Sequence, residues 1–344
     1  MKTIVFFALL LMAGVGLPSR SLQKESGSLQ VIPDTRMPAD PAGNILYAPT
    51  FRAAWTMLKD DIIKSDIRLK KPVPVVKYLN QNPYSVRNDP DWMALAGFVD
   101  TGIIDRINAE LLTRFNTRQS GLEKYAGEKD GIICYSRFHK SITFNVPFET
   151  MNWTFNSGNT STEVKCFGVT RMGGGEKERM RKQTQLFDYR NPDDFILILS
   201  GADPGKEIVL AKTEFQGSVQ EMIGLVNDRI RNSYPDGIAD FDELIIPKIN
   251  LSENHTYREL IGKFLANRDF QDYFFAEAGQ EISFSLNETG AVAEATGTIV
   301  KIKGPVPRNY VFDKPFLLIF RNVGSDESDL VLWVANTDFL VPSV

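Results

Sequence analysis

Few residues in this chain are placed to do chemistry. His139 lies in Arg137-Phe138-His139-Lys140 and His255 follows Asn254, and neither sits near a G-x-S-x-G elbow or another nucleophile motif that would make it a general base. Gly173-Gly174-Gly175-Glu176 imitates a phosphate loop, but no Lys-Ser/Thr pair follows and G-x-G-x-x-G spacing is absent, so it reads as a turn. The mixed-sign run Glu176 to Lys182 reads as a solvated face. Two histidines and two cysteines, not at metal-ligand spacing, predict no metal and no cofactor. Whether Cys134 and Cys166 pair is left open by their spacing.

The segment that breaks the local pattern runs from Asn287-Glu288-Thr289-Gly290 to Pro305-Val306-Pro307. At period two, positions 291, 293, 295 and 297 are Ala, Ala, Ala and Gly, while 292, 294, 296 and 298 are Val, Glu, Thr and Thr. One face is uniformly small, which suits a strand that slides between others where there is little room. Proline is absent from Ala291 to Gly304, so every backbone N–H there can join a ladder. A surface hairpin of small residues is the plainer alternative.

The remaining sequence must supply the frame. Its 344 residues are 43% hydrophobic and 24% charged, values that fit a chain with a real core and exclude collagen-like or disordered classes. A net charge of −4 offers no field for nucleic acid. Met1 to Ser21 has the charged start, short apolar core and small-residue tail of a secretory signal; with this segment removed, no membrane partner is expected. The expected location is extracellular, or periplasmic in a bacterium. Residues 22–43 read as a mobile lead-in without an element. Asn152, Asn159, Asn250, Asn254 and Asn287 each begin an Asn-x-Ser/Thr triplet.

Helices are expected from Ala53 up to the Pro72-Val73-Pro74 cluster, over Trp92 to Phe98 and Ile103 to Phe115, over Gly217 to Ile230, and briefly over Tyr257 to Leu265. Strands are expected at 132–135, 142–146, 163–167, 195–199, 244–246, 282–286, 316–320 and 330–334.

Several of these segments together resemble the serpin family. Asn44-Ile45-Leu46-Tyr47-Ala48-Pro49 is similar to its Asn-Ile-Phe-x-Ser-Pro motif, with Ala48 for Ser. Ile246-Pro247-Lys248-Ile249 resembles its Pro-Lys-Phe strand, Glu288-x-Gly290 its hinge opening, Phe312-Asp313-Lys314-Pro315-Phe316 with the run to Arg321 the strand after its reactive loop, and Leu330 to Asn336 its last strand. The likeness is dense from about Phe195 onward and thin before. Phe138 to Phe148 answers only loosely to the family's Phe-Lys-Gly-x-Trp, without the Trp, and little before Asn44 resembles the first serpin helix. In the hinge, Ala291 stands where Thr or Ser is usual and Glu294 interrupts the alanine run.

The resemblance implies a single α+β domain over 44–344, helices in its first third, large mixed and antiparallel sheets, and an exposed reactive-centre loop within 287–311. It implies no enzyme: a monomeric inhibitor whose partner is a serine protease, which cleaves the loop and is trapped when the loop enters the main sheet. The hinge would be Glu288, Gly290, Ala291, Ala293, Ala295 and Gly297. The bait bond would lie near Gly304, with Lys303, then Lys301, as the side chain for a trypsin-like pocket. A non-inhibitory binding or carrier module on the same fold is the alternative, and a secreted hydrolase built on the two histidines a third.

Overall fold

A computed structural model describes residues 29–343 except 82, 85–88, 118–120, 171–174, 240–241 and 291–306. The signal at 1–21, the first part of the lead-in, Gly173-Gly174, the hinge positions Ala291, Ala293, Ala295 and Gly297, and the bait candidates Lys301, Lys303 and Gly304 therefore lie outside the described residues.

The strands form three sheets. The core sheet has seven, in the order β1 (Gln30–Val31), β2 (Ile45–Tyr47), β15 (Ser328–Val334), β14 (Phe316–Asn322), β9 (Lys206–Lys212), β8 (Asp194–Ser200) and β7 (Thr184–Asn191). Its central strands are continuous apolar runs because both faces are covered. Leu318 and Phe320 face the largest cluster, while Leu317 and Ile319 meet helix α5 (Val219–Arg231) through Val219, Met222 and Val226. A capping box between Ser218 and Glu221 starts α5.

The hinge sheet has four strands: β11 (Ile249–Thr256), β12 (Phe274–Leu286), β4 (Gly131–Ser141) and β3 (Trp92–Phe98). The cap sheet orders β13 (Asn309–Val311), β10 (Glu243–Pro247), β6 (Thr160–Val169) and β5 (Glu149–Ser157). Helix α1 (Thr50–Met57) runs on into a π-helical turn at Leu58–Ile63 and packs under the hinge sheet, where Trp55 stacks on Phe275 at 5.5 Å. Helix α3 (Ile103–Phe115) covers part of the sheet's other face, its Ile103, Ile107 and Leu111 sharing a cluster with Met93, Ile133 and Tyr135. Helices α2 (Pro74–Gln81) and α4 (Gly175–Arg181) complete the set.

Five expectations change. The run 142–146 is not a strand: Phe144 alone bridges, to Gly290, and the backbone bends at 145 and 146. Trp92 to Phe98 is strand β3, an apolar run whose two faces are covered from opposite sides, so it shows no alternation. Pro74 begins a helix rather than ending one, since its missing N–H costs nothing at a helix start. The first helix stops earlier, where Lys64 turns left-handed at φ 58°. Tyr257 to Leu265 makes consecutive i→i+3 turns, not a helix; Gly262 sits at φ +69° and Phe264 and Leu265 pair as bridges.

The lead-in is also firmer than its composition suggests over 29–43. Gln30–Val31 pairs with β2, and Asp34 is wholly buried between Arg36 at 2.8 Å and Arg52 at 3.5 Å. The Trp333 indole N–H donates to Pro41 O. These anchors leave no periodic trace in the sequence.

Candidate functional site

The site is a seam. Strands β12 and β4 are parallel and zipped along their length, from Phe274 opposite Gly131 to Ser285 opposite Ser141. Both neighbours, β11 on β12 and β3 on β4, are antiparallel, so among the described residues this is the sheet's one parallel interface. Parallel pairing is slightly weaker per residue, and parallel strands side by side leave room in principle for an antiparallel strand between them. Side chains also cross the seam: Arg137 pairs with Glu281 at 3.3 Å, and the Ser141 and Ser285 hydroxyls lie 2.7 Å apart.

Beneath the seam the packing is aromatic. Phe138 of β4 and Phe284 of β12 each lie 6.2 Å from the ring of Phe320 on the core sheet, which therefore sits under the line where the two strands meet. Lower down, Gln280 of β12 is completely buried. Its amide donates to Ala48 O at 3.0 Å and Thr50 Oγ1 at 2.8 Å and accepts from Tyr257 Oη at 2.7 Å, tying the strand to the start of α1. Opposite it, the buried Ser136 Oγ has no hydrogen-bond partner among the described residues.

At the upper end β12 leads into Asn287-Glu288-Thr289-Gly290. The chain leaving β4 receives it: Ile142 N–H donates to Ser285 O, Phe144 N–H to Thr289 O at 2.8 Å and Phe148 N–H to Glu288 O at 3.1 Å. Gly290 bridges Phe144 so closely that a Cβ there would strike the backbone of Val146 and Pro147, so only glycine fits. Phe144 and Phe148 of this segment are both buried, stacked edge-on at 4.8 Å beneath Gly290.

Glu288 is fixed by Lys248, 2.6 Å away at the start of β11. Burial opposes the carboxylate charge, but the ammonium and a backbone N–H outweigh it and hold the carboxyl below its usual range. Of the hinge residues expected from sequence, the structure places Glu288 and Gly290 together at the top of the seam, with Lys248 beside them.

Other candidates fall elsewhere. His139 is exposed on β4, and His255 lies on β11 against Tyr257, where burial, then Arg258, lowers its pKa. Cys134 and Cys166 are free and buried, and burial pushes the Cys166 thiol up to about 12. No group of three His, Cys, Asp or Glu able to hold a metal occurs among the described residues, and no helix there is long and apolar enough to cross a membrane. Asn152, Asn159, Asn250 and Asn254 are exposed, whereas Asn287 is half-buried with its Oδ1 accepting from Thr289 N–H. Gln280, which ties β12 to the start of α1, is marked by no sequence motif.

No family model matches the chain, and no curated protein matches it in sequence. Its structure, however, is similar to that of native protease nexin-1 crystallised with heparin, at 12% identity and a TM-score of 0.53 over 86% of this chain and 93% of that one. It is likewise similar to Serpin48, a highly specific serpin of the insect Tenebrio molitor, at 12% identity and a TM-score of 0.50 over 85% and 92%. With these neighbours and its three sheets of mixed strands, the chain has a serpin-like α+β fold.

Proposed function

We propose that this protein is a secreted inhibitor of serine proteases, most suited to a trypsin-like target, that works once by loop cleavage and insertion into the hinge sheet. The observation that carries the reading is the closed parallel seam with the hinge docked at its head. A strand returning from Gly290 between β12 and β4 runs antiparallel to both, replacing one parallel interface by two antiparallel ones. Residues 291 to 303 number thirteen, the same as β12, so a loop cut after Lys303 is long enough to run the seam's full length. Its Ala and Gly face suits the space above Phe320, which large side chains would overfill.

In the proposed reaction the protease serine attacks the carbonyl carbon of Lys303, with Lys301 as the second candidate position. The bond to Gly304 breaks, the new amine takes a proton from the protease's general acid, and an ester joins the inhibitor to the enzyme. Insertion at about 3.3 Å per residue then carries that ester some 40 Å, and displaced catalytic groups cannot direct water to it. Glu288 and Gly290 are the fixed end of the hinge, and Ala291, Ala293, Ala295 and Gly297 the part that enters.

Incubation with trypsin-like and elastase-like proteases followed by a denaturing gel tests this. A covalent band of summed mass is expected with the trypsin-like enzyme. Clean cleavage without that band contradicts inhibition and favours a binding or carrier role on the same fold.

A further inference from the structure

The segment 142–148 that receives the hinge is itself held from behind, by one side chain. Gln183, the residue before β7, is 6% exposed. Its Oε1 accepts from Val146 N–H at 2.8 Å and its Nε2 donates to Val146 O at 2.8 Å, so the amide pairs with the backbone as a strand neighbour would. Gln183 is anchored in turn, its O accepting from Ser200 N–H and its N–H donating to Met180 O. A second tie lies three residues away, where Ala202 N–H donates to Thr143 O at 2.7 Å.

We infer that Gln183 is a positioning residue that latches the hinge end of the seam, setting how readily β4 and β12 part. Between the two ties lies Phe144, whose N–H bonds Thr289 across the seam, and just before them Ile142, whose N–H bonds Ser285. Together with Phe148 N–H to Glu288 O they form the upper bonds of the closed seam, and they hold only while 142–148 stays fixed. Losing the Gln183 amide leaves Val146 N–H and C=O without that partner in a half-buried place, which loosens the segment and with it the Ile142 and Phe144 cross-seam bonds. The inference rests on the proposed inhibitory reading for its purpose but not for its test.

The test is hydrogen exchange on the intact wild-type protein, Gln183→Ala and Gln183→Glu, read at the Ile142 and Phe144 amides. Gln183→Ala should speed exchange at both by roughly 10- to 100-fold. Gln183→Glu keeps the acceptor for Val146 N–H and should fall between; it decides the matter by the same readout if the alanine variant does not fold. Thermal midpoints of intact and loop-cleaved forms separate a latch from a general structural role: the latch predicts a larger loss in the intact form. Unchanged exchange at Ile142 and Phe144, or equal losses in both forms where wild-type cleavage does add stability, overturns the inference. Should wild-type cleavage give neither complex nor added stability, the inhibitory reading fails while the exchange result still judges the latch.

Discussion

The core sheet and the hinge sheet are built from similar residues yet are held in different ways. From β2 through β15, β14, β9 and β8 to β7 every pairing is antiparallel, and Leu318, Phe320, Leu210 and Leu332 are buried on one face while Ile319, Val209 and Val331 are buried on the other. Its charges are also locked in: Arg321 donates to Glu207 at 2.7 Å, and Arg229 reaches Asp188 and Asp194 at 2.6 Å each. The seam of the hinge sheet instead pairs two parallel strands whose upper front is polar, with Ser141, Ser285, Arg137 and Glu281. Opening the core sheet would expose two apolar faces at a cost of many kcal/mol. On the proposed reading, opening the seam breaks a ladder that an incoming strand replaces, while the core sheet stays closed.

The largest effect should come from cutting the loop. A net gain of about thirteen hydrogen bonds at about 1 kcal/mol each would raise the thermal midpoint by about 20 °C in a chain of this size. Circular dichroism melts before and after limited proteolysis within 291–306 check this, and an unchanged midpoint would dissolve the contrast between the two sheets.

Leu318→Ala in the core sheet should cost about 3 kcal/mol by urea unfolding, and equally in intact and cleaved protein, because that sheet is common to both. Gln280→Leu should cost about 2 kcal/mol in the intact form, since it strands Tyr257 Oη and Ala48 O. A cost that differs between the intact and cleaved forms for Gln280→Leu, set against equal costs for Leu318→Ala, would sharpen the comparison.

At the hinge, Gly290→Ala should cost about 1–2 kcal/mol through its clash with Val146 and Pro147, and should accelerate proteolysis of the loop in its intact form. Lys248→Ala should cost about 1 kcal/mol. Because the Glu288 carboxyl is depressed in the folded state, its contribution is present above the ordinary glutamate range and is lost as pH falls through the lowered folded value. Intact wild type should therefore lose hinge stability in the acid range below about pH 4, and Glu288→Gln should flatten that part of the profile.

How much of this was legible in the sequence follows from how far each residue's reason lies from it. The strands at 195–199, 316–320 and 330–334 announce themselves because doubly covered strands are continuous apolar runs. The same rule hides β3, whose Trp92 to Phe98 run has no period to separate strand from helix. Glu288 and Gly290 were found through resemblance, but the reason for glycine, the backbone of Val146 and Pro147, lies far away in the chain. Gln183 leaves no trace because its amide meets only the Val146 backbone, which carries no letter, and Gln280 because Ala48, Thr50 and Tyr257 lie far from it in the chain.

The central claim, that β4 and β12 part to admit a strand, is tested most directly by fastening them together. His139 and Ser283 are register partners across the seam, and both native cysteines are buried, so His139→Cys with Ser283→Cys places an oxidisable pair on the exposed face. The measurement is the thermal midpoint of the loop-cleaved double variant, oxidised and then reduced. The account predicts no rise on cleavage while the disulfide is closed and the full rise of about 20 °C once it is reduced. The same rise in the oxidised protein would show that the loop gains its stability without entering this seam, and would contradict the account.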